Sequence, residues 1–217
     1  MLKAVLIDFD GVIIDTEVLY YEVFKQWFKT NANHDLTIPQ FQLGIGTTDN
    51  VIFEHLAKEH GVKADPGSFN QVTHEKIKHA SRSLPPKEGV IDFVKQVKAQ
   101  NLSLALVTSN KRDQPTYHLK RFGIIDHFDH LVTSEDVTKV KPSPELYQKA
   151  LDLLNIEPTQ AIAIEDSLNG FKAARAAGIQ TIPIPHALTE SLVFEGAYKR
   201  LKSLKEVDLL EIMKDFE

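Results

Sequence analysis

Short runs of hydrophobic residues recur along the chain, and each run ends abruptly in polar or turn-forming residues. The three strongest runs occupy residues 3–7, 102–107 and 161–164. Apolar runs of this length, rich in β-branched residues and followed by a turn signal, are typical of strands buried on both faces of a sheet. Residues 131–133 and 181–184 show the same pattern more weakly. The pattern therefore predicts several buried strands spread over the chain.

Helical periodicity fills most of the intervals between these runs. Hydrophobic positions repeat at helical spacing over residues 90–99, 114–122, 144–154 and 168–177. Strands that alternate with helices at this spacing form parallel βαβ units. We therefore predict an α/β fold with a Rossmann-like parallel sheet core, and a last amphipathic helix near residues 207–213 that packs on it.

One long segment interrupts the alternation of strand and helix. Between residues 16 and 86 only helical periodicities occur, without a strong strand pattern. A connection of this length inside a compact domain needs structure of its own. We therefore expect an inserted α-helical cap subdomain at residues 16–86, with residues 1–15 and 87–217 forming the α/β core.

Composition narrows the classes of function. The chain has 217 residues and a formal net charge of -5, which argues against broad attraction to nucleic acid or to an anionic membrane. It contains no cysteine, so disulfides, thiol catalysis and thiolate metal sites are excluded. No apolar run approaches the roughly 20 residues needed to span a bilayer. Because Asp8 and Asp10 interrupt the first apolar stretch, a signal peptide is not expected either. We expect a cytoplasmic protein that binds neither nucleic acid nor membrane.

Acidic residues follow two of the three strongest predicted strands. Asp8 and Asp10 follow the first strand, Glu165 and Asp166 follow a later one, and the polar residues 108–110 close the strand between them. Carboxyl ends of parallel strands form the ligand crevice of such sheets, so these groups are expected to converge. Clustered carboxylates repel one another unless a cation is present, and ligands that are all oxygen suit Mg²⁺. A single acid here could instead cap a helix or a turn, but the coincidence of all the sites favours one shared pocket.

Four short segments occur in a fixed order at these predicted strand ends and at one helix start. They are DFDGV at residues 8–12, TSN at 108–110, KPSPE at 141–145 and EDSLNG at 165–170. Any one of them is weakly specific, but all four in order closely resemble the signature motifs of the haloacid dehalogenase-like (HAD) hydrolase superfamily. The closest resemblance is to its β-phosphoglucomutase-like and phosphoglycolate-phosphatase-like branch, and it extends over essentially the whole chain, including a helical cap after the first motif.

The resemblance implies three catalytic residues. Asp8 is expected to attack phosphorus and to become an aspartyl-phosphate. Asp10 is expected to protonate the leaving oxygen and then to deprotonate the attacking water. Lys141 is expected to supply positive charge between the nucleophile and the phosphoryl oxygens.

The resemblance also implies a Mg²⁺ cofactor. The ion is expected to be held by the Asp8 side chain, the backbone carbonyl of Asp10 and the Asp166 carboxylate. Glu165 is expected to act as a more distant or water-mediated ligand. Mg²⁺ would supply most of the positive charge that a phosphoryl group needs among these carboxylates.

The second motif is expected to bind the substrate phosphate. By the resemblance, the Thr108 hydroxyl and the Ser109 amide hold the phosphoryl oxygens, while Asn110 helps to orient them. Lys141 completes this set from the third motif. Such hydrogen bonds would position a charge-dispersed transition state.

Several functions remain open within this family and beside it. Segment 42–50 contains no basic residue, whereas β-phosphoglucomutases carry a basic cap loop that grips a second phosphate. A cap histidine of those mutases is replaced by Tyr20 or Tyr21, two aromatic residues that either face the substrate or pack inside the cap. We therefore favour a phosphatase of a small phosphorylated metabolite over a mutase. Retention of Asp10 argues against a dehalogenase, and retention of all the acids argues against an inactive protein that only binds a phosphorylated metabolite. A monomer is expected, and a dimer stays open.

Overall fold

The computed structural model describes residues 1–217, except for the side chain of His74. The strands are Ala4–Ile7 (β1), Ser103–Val107 (β2), His130–Val132 (β3), Ala161–Glu165 (β4) and Gln180–Pro183 (β5). The α-helices are Glu17–Ala32 (α1), Ile38–Gln42 (α2), Asn50–His60 (α3), Pro66–Ser81 (α4), Val90–Ala99 (α5), Asp113–Arg121 (α6), Glu145–Leu154 (α7), Leu168–Ala176 (α8) and Leu209–Asp215 (α9). The predicted strands and core helices are confirmed to within about two residues, the usual uncertainty of element ends.

The strands form one parallel sheet in the order β3-β2-β1-β4-β5. β1 lies in the centre, where Ile7 is opposite Leu106 of β2 and Ile164 of β4. Because the three strands run in the same direction, the residues that follow them meet at one edge of the sheet. After β1 the chain adds β2 and β3 on one side of it and then β4 and β5 on the other side. Open α/β sheets bind ligands where the strand order reverses in this way, outside the carboxyl ends of the strands. The predicted α/β class with a parallel sheet core is confirmed.

The two faces of the sheet carry side chains of different size. Alternate residues of a strand point to opposite faces. One face packs large aliphatic residues against α5 and α9, and the other packs mostly alanine against α7 and α8. The large residues are Val5, Ile7, Leu104, Leu106, Ile162 and Ile164, and the alanines are Ala4, Ala105, Ala161 and Ala163. Because the alanine side chains are small, α7 and α8 can pack closely against this face of the sheet.

Helices α1 to α4 enclose an aromatic cluster of their own. The rings of Phe24 and Phe69 lie with centroids 4.2 Å apart, and Trp27 packs edge-on against Phe69 at 5.3 Å. Burying aromatic rings of this size supplies much of the stability of a small helical unit. The short helix α2 and the helix α4 were not identified individually from the sequence. The boundaries of the cap at residues 16 and 86 stay a prediction.

The chain leaves and re-enters the sheet domain at one place. Ile14 and Pro86 form a backbone bridge, and the Lys87 N–H donates to the Ile13 carbonyl at 2.8 Å. The Lys87 ammonium also donates to the carbonyl of Gly11. The two connecting segments are therefore bonded to each other and to the first motif.

The C-terminal helix begins later than the sequence pattern indicates. The Asp208 side chain accepts hydrogen bonds from the backbone N–H groups of Leu210 and Glu211, so it caps the helix, and α9 starts at Leu209. Within the described residues, none of the helices combines the length and the hydrophobicity required to span a bilayer.

Candidate active site

Lys141 is the buried cation at the edge of the sheet. Only 1% of its surface is exposed. Its Nζ atom lies 2.7 Å from Asp8 Oδ1 and 2.7 Å from Glu165 Oε1, and it donates to the Val107 carbonyl at 2.8 Å. An ammonium has three protons to donate, and a charge buried this deeply is stable only when it is paired. The ends of β1, β2 and β4 together provide all three acceptors.

Asp166 completes a group of three buried carboxylates. One oxygen each of Asp8, Glu165 and Asp166 lies within 4.8 Å of the others. Asp166 Oδ1 and Glu165 Oε2 are buried without a hydrogen-bond partner among the described residues. Buried carboxylate oxygens left without a partner are costly unless a cation neutralises them. This set of oxygen donors therefore fits a hard divalent ion such as Mg²⁺.

Gly11 allows the Asp166 carboxylate to approach the first motif. Its φ is +68°, and a Cβ atom built there would lie 2.1 Å from Asp166 Oδ2. Any larger residue at this position would be strained in its backbone and would collide with the carboxylate. The glycine that follows Asp10 is thus required by the position of a proposed metal ligand.

Asp10 is held by two hydrogen-bond donors. The Thr16 hydroxyl donates to Asp10 Oδ1, and Asn110 Nδ2 donates to Asp10 Oδ2 at 2.6 Å. In this structure the Asn110 side chain therefore contacts the expected general acid. The Thr108 hydroxyl accepts from the Asn110 N–H at 3.1 Å, which fixes the turn of the second motif.

Burial raises the pKa values of Asp8, Asp10 and Glu165. It raises the pKa of Asp8 to about 6 although Lys141 opposes the shift. Burial and then the negative charge of Asp8 raise the pKa of Asp10 to about 7, and burial raises that of Glu165 to about 8 against the pull of Lys141. For Lys141, burial acts to lower the pKa, but Asp8 and Glu165 outweigh it and raise the pKa above its ordinary value. A single ammonium thus leaves the site short of positive charge.

A cavity of about 970 Å³ opens above these groups, between the sheet edge and the helices α1 to α4. Its volume suits a small organic molecule. Tyr20 lines it, whereas Tyr21 is buried and donates its hydroxyl to the Leu36 carbonyl at 3.3 Å. The lining includes Asp8, Asp10, Thr108, Ser109 and Asn110 from the sheet edge, Glu17, Thr47, Asp49, Asn50 and Asn70 from the opposite wall, and Lys111, Arg112 and Gln114 beside the second motif.

Hydrogen bonds join the loop after α2 to the second and fourth motifs. Asn169 Nδ2 donates to the Ile45 carbonyl at 2.8 Å and to the Leu43 carbonyl at 3.1 Å. The Ser109 hydroxyl donates to the Gly46 carbonyl at 2.9 Å. Since a serine hydroxyl has one proton, Ser109 in this arrangement offers only its backbone N–H to a phosphate.

A third contact reaches the loop after β5. Gln42 Nε2 donates to the Leu188 carbonyl at 2.6 Å, and the Leu188 side chain packs in the aromatic cluster of the helices α1 to α4. Gly46 fits closely over the fourth motif, because a Cβ atom there would lie 2.3 Å from Ser167 Oγ. Direct contacts therefore join the helical wall of the cavity to the sheet domain at several places.

Three side chains of the site were missed by the sequence analysis. Burial and the charges of Asp166 and Asp10 raise the pKa of the cavity-lining Glu17 well above its usual value. The Tyr147 hydroxyl donates to Glu165 Oε1, and His186 Nε2 lies 3.0 Å from Asp166 Oδ2. Glu17 could have been suspected from its position just after the first motif. No local pattern distinguishes Tyr147 or His186 from residues that only pack in the core.

Comparison with known proteins gives a consistent result over nearly the full length. A family model described as haloacid dehalogenase-like hydrolase matches residues 5–184. The chain is 35% identical to the Bacillus subtilis protein YhcW over 96% of this chain and 95% of that protein. It is 29% identical to a phosphorylated carbohydrates phosphatase of Thermotoga maritima, over 99% of each chain. The crystal structure of Rhodobacter sphaeroides CbbY in complex with xylulose-(1,5)bisphosphate superposes with a TM-score of 0.81 at 25% identity, covering 95% of this chain and 96% of that one.

We expect the protein in EDTA to lose thermal stability as the pH rises from about 5 to about 8. The folded-state pKa values of Asp8, Asp10 and Glu165 are about 6, 7 and 8, above the values of about 4 in an unfolded chain. In this window the folded state binds more protons than the unfolded state, so stability present at low pH is lost as the pH rises through the folded pKa values. The measurement is the midpoint of thermal unfolding against pH.

Two controls accompany this titration. A saturating divalent cation should reduce the loss, because it replaces the protons as the neutralising charge. The Asp10→Asn variant should show a shallower pH dependence, since one of the shifted groups is gone. A midpoint that stays level or rises in EDTA over this range would contradict the electrostatic account.

Proposed function

Because this chain belongs to the haloacid dehalogenase-like hydrolase family, we propose that it hydrolyses small phosphorylated metabolites through a phosphorylated Asp8, with Mg²⁺ as cofactor. It is a phosphatase of phosphorylated substrates, as its relatives are. The observation that carries the finer proposal is the 2.7 Å contact between Lys141 Nζ and Asp8 Oδ1 beneath a cavity that Asp10 also lines. The Lys141 ammonium offsets the negative charge of the nucleophile Asp8, and Asp10 lies beside Asp8 as a candidate general acid.

Asp8 begins the reaction as the nucleophile. One carboxylate oxygen forms a bond to phosphorus while the bond from phosphorus to the ester oxygen breaks, and the electron pair stays on that oxygen. Lys141 offsets the negative charge that accumulates as phosphate approaches a carboxylate. The backbone N–H of Ser109 and the hydroxyl of Thr108 are available at the cavity wall to bind phosphoryl oxygens.

Asp10 moves the proton in both half-reactions. Its protonated carboxyl gives a proton to the leaving alkoxide, and the resulting carboxylate then takes a proton from the water that attacks the phosphorylated Asp8. This second step releases inorganic phosphate and restores both acids. A pKa raised to about 7 by burial and by Asp8 supports the two roles, because a group near neutrality both gives and accepts a proton. Thr16 and Asn110 fix the orientation of the carboxyl group.

The proposed cation site is formed by the nucleophile Asp8 and by the groups that lie beside it. The Asp8 and Asp166 carboxylates and the Asp10 carbonyl would hold the ion, with Glu165 further away. When bound, Mg²⁺ supplies positive charge that offsets the phosphoryl oxygens in the transition state. The unpartnered oxygens of Asp166 and Glu165 support this assignment.

Closure of the cavity excludes bulk water and other phosphate acceptors. Hydrogen bonds from Asn169 and Ser109 hold the loop after α2 against the fourth and second motifs, and Gln42 at the end of α2 bonds to the loop after β5. In this proposal the contacts open to admit substrate and to release product, and they re-form for the reaction. This limits the substrate to a molecule that fits a cavity of about 970 Å³.

A substrate with a second anionic group is favoured by one further observation. Lys111 lines the cavity on the core side, so a basic side chain faces the cavity although segment 42–50 contains none. The neighbouring Arg112 also lines the cavity, but its guanidinium is paired with Asp136 and with the Leu131 carbonyl. The relative CbbY was solved with a sugar bisphosphate. A bisphosphate phosphatase, or a sugar-phosphate mutase, is therefore the second candidate function.

The Asp8→Asn variant should keep its fold and lose at least about a thousandfold in kcat, because an amide cannot act as the nucleophile. Hydrolysis of p-nitrophenyl phosphate with Mg²⁺ measures the loss. Mass spectrometry of acid-quenched protein should detect a phosphate adduct on the wild type and not on the variant. The exposed residue Asp126 provides a control, since Asp126→Asn should leave turnover unchanged. Near-normal activity of Asp8→Asn would refute the assignment of the nucleophile.

The Asn169→Ala variant should lower kcat/KM by about tenfold. It removes two hydrogen bonds between cap and core, each of which contributes about 0.5–1.5 kcal/mol, and so it favours the open state. Gln26→Ala is the matched control, because Gln26 bonds only to Thr30 within α1 among the contacts described. Equal kinetics for the two variants would show that closure does not depend on Asn169.

The Lys111→Ala variant separates the two substrate classes. For a sugar bisphosphate, KM should rise by about tenfold or more, because one charge-assisted contact of about 1.5–3 kcal/mol is lost. For a sugar monophosphate, KM should change little. A uniform effect on both substrates, or none on either, would argue against a second anion site at Lys111.

A further inference from the structure

His186 contacts the proposed metal ligand Asp166 and lies outside the four sequence motifs. It lies in the loop after β5, and only 8% of its surface is exposed. Its Nε2 atom is 3.0 Å from Asp166 Oδ2. The imidazole and the carboxylate are both buried, so this contact is sheltered from solvent.

The loop itself determines which ring nitrogen carries the proton. The Leu188 N–H points at His186 Nδ1, at 3.3 Å. A backbone N–H can only donate, so Nδ1 must offer its lone pair, and in the neutral ring the proton then belongs to Nε2. His186 therefore donates its Nε2–H to Asp166 Oδ2. The fully buried Thr189 holds the backbone of His186 in place, because its hydroxyl accepts a hydrogen bond from the His186 N–H at 3.1 Å.

This hydrogen bond leaves the two oxygens of Asp166 in different roles. Oδ2 is occupied by His186 and pressed against Gly11, where a Cβ atom would approach within 2.1 Å. Oδ1 is buried without a partner among the described residues. One oxygen of Asp166 also lies within 4.8 Å of oxygens of Asp8 and Glu165. A carboxylate held by one oxygen cannot rotate freely, so the other oxygen is presented in a constant direction.

We propose that His186 is a positioning residue that orients Asp166 for the divalent cation by donating Nε2–H to Oδ2. The inference rests on the proposed metal site and adds a residue that the four motifs do not contain. Partners that orient a metal ligand typically change metal affinity by about 10- to 100-fold when they are removed. The same loop accepts the Gln42 hydrogen bond at Leu188, so it joins the proposed metal ligand to helix α2.

Two substitutions test the role of the Nε2–H donor. Glutamine places its amide nitrogen near the position of the imidazole Nε2, whereas the shorter asparagine reaches only to the position of Nδ1. The His186→Asn variant should bind Mn²⁺ about 10- to 100-fold more weakly than the wild type. The His186→Gln variant should recover most of this loss. Binding is measured without substrate by electron paramagnetic resonance of free Mn²⁺, and thermal unfolding in EDTA checks that both variants fold.

The outcomes distinguish this inference from the proposed function. Equal Mn²⁺ affinity for wild type and His186→Asn would overturn the role of His186 while leaving the enzyme mechanism intact. Equal weakening in both variants would overturn the donor role as well. A wild type that binds no Mn²⁺ would remove the metal site and this inference with it. Long-range ¹H–¹⁵N correlation spectra of the metal-free protein should find the His186 proton on Nε2, and a proton on Nδ1 would contradict the proposal.

Discussion

The ammonium of Lys141, buried between Asp8 and Glu165, is the interaction on which the catalytic edge of the sheet depends. Without it, two carboxylates at the ends of β1 and β4 would face each other with no counter-charge in a region closed to water. With it, the strands that carry them can end side by side. The Val107 carbonyl at the end of β2 takes the third proton of the ammonium, so one side chain from outside the sheet binds the ends of all three central strands.

The same pairing leaves a deficit of positive charge at this edge of the sheet. Lys141 pairs with Asp8 and Glu165, while Asp10 and Asp166 lie beside this pair, and the pKa values of Asp8, Asp10 and Glu165 lie well above their usual range. A site of this kind favours protons, a metal ion or both. That preference suits an enzyme whose substrate is itself an anion, because a cation is needed before a phosphoryl group can approach a carboxylate.

Much of this arrangement follows from the sequence because it is written in local patterns. Apolar runs that stop at Asp8, Thr108 and Glu165 specify strands and their ends, and parallel topology then brings those ends together. The short helix α2 lacks enough turns to show a period, and His186 reaches Asp166 across 20 residues of chain. Likewise Asn110, expected to orient phosphate, donates to Asp10. These contacts depend on how loops meet in three dimensions, and no spacing of residues encodes that.

The bridge between Ile14 and Pro86 joins the segment that enters the helical part to the segment that leaves it. Because both connections run through this one bonded pair, it fixes the spacing between the two connecting segments. Thr16 lies two positions beyond Ile14, and its hydroxyl donates to Asp10. The Asp10 carboxyl group is thus anchored directly beside the junction at which the two connecting segments are bonded to each other.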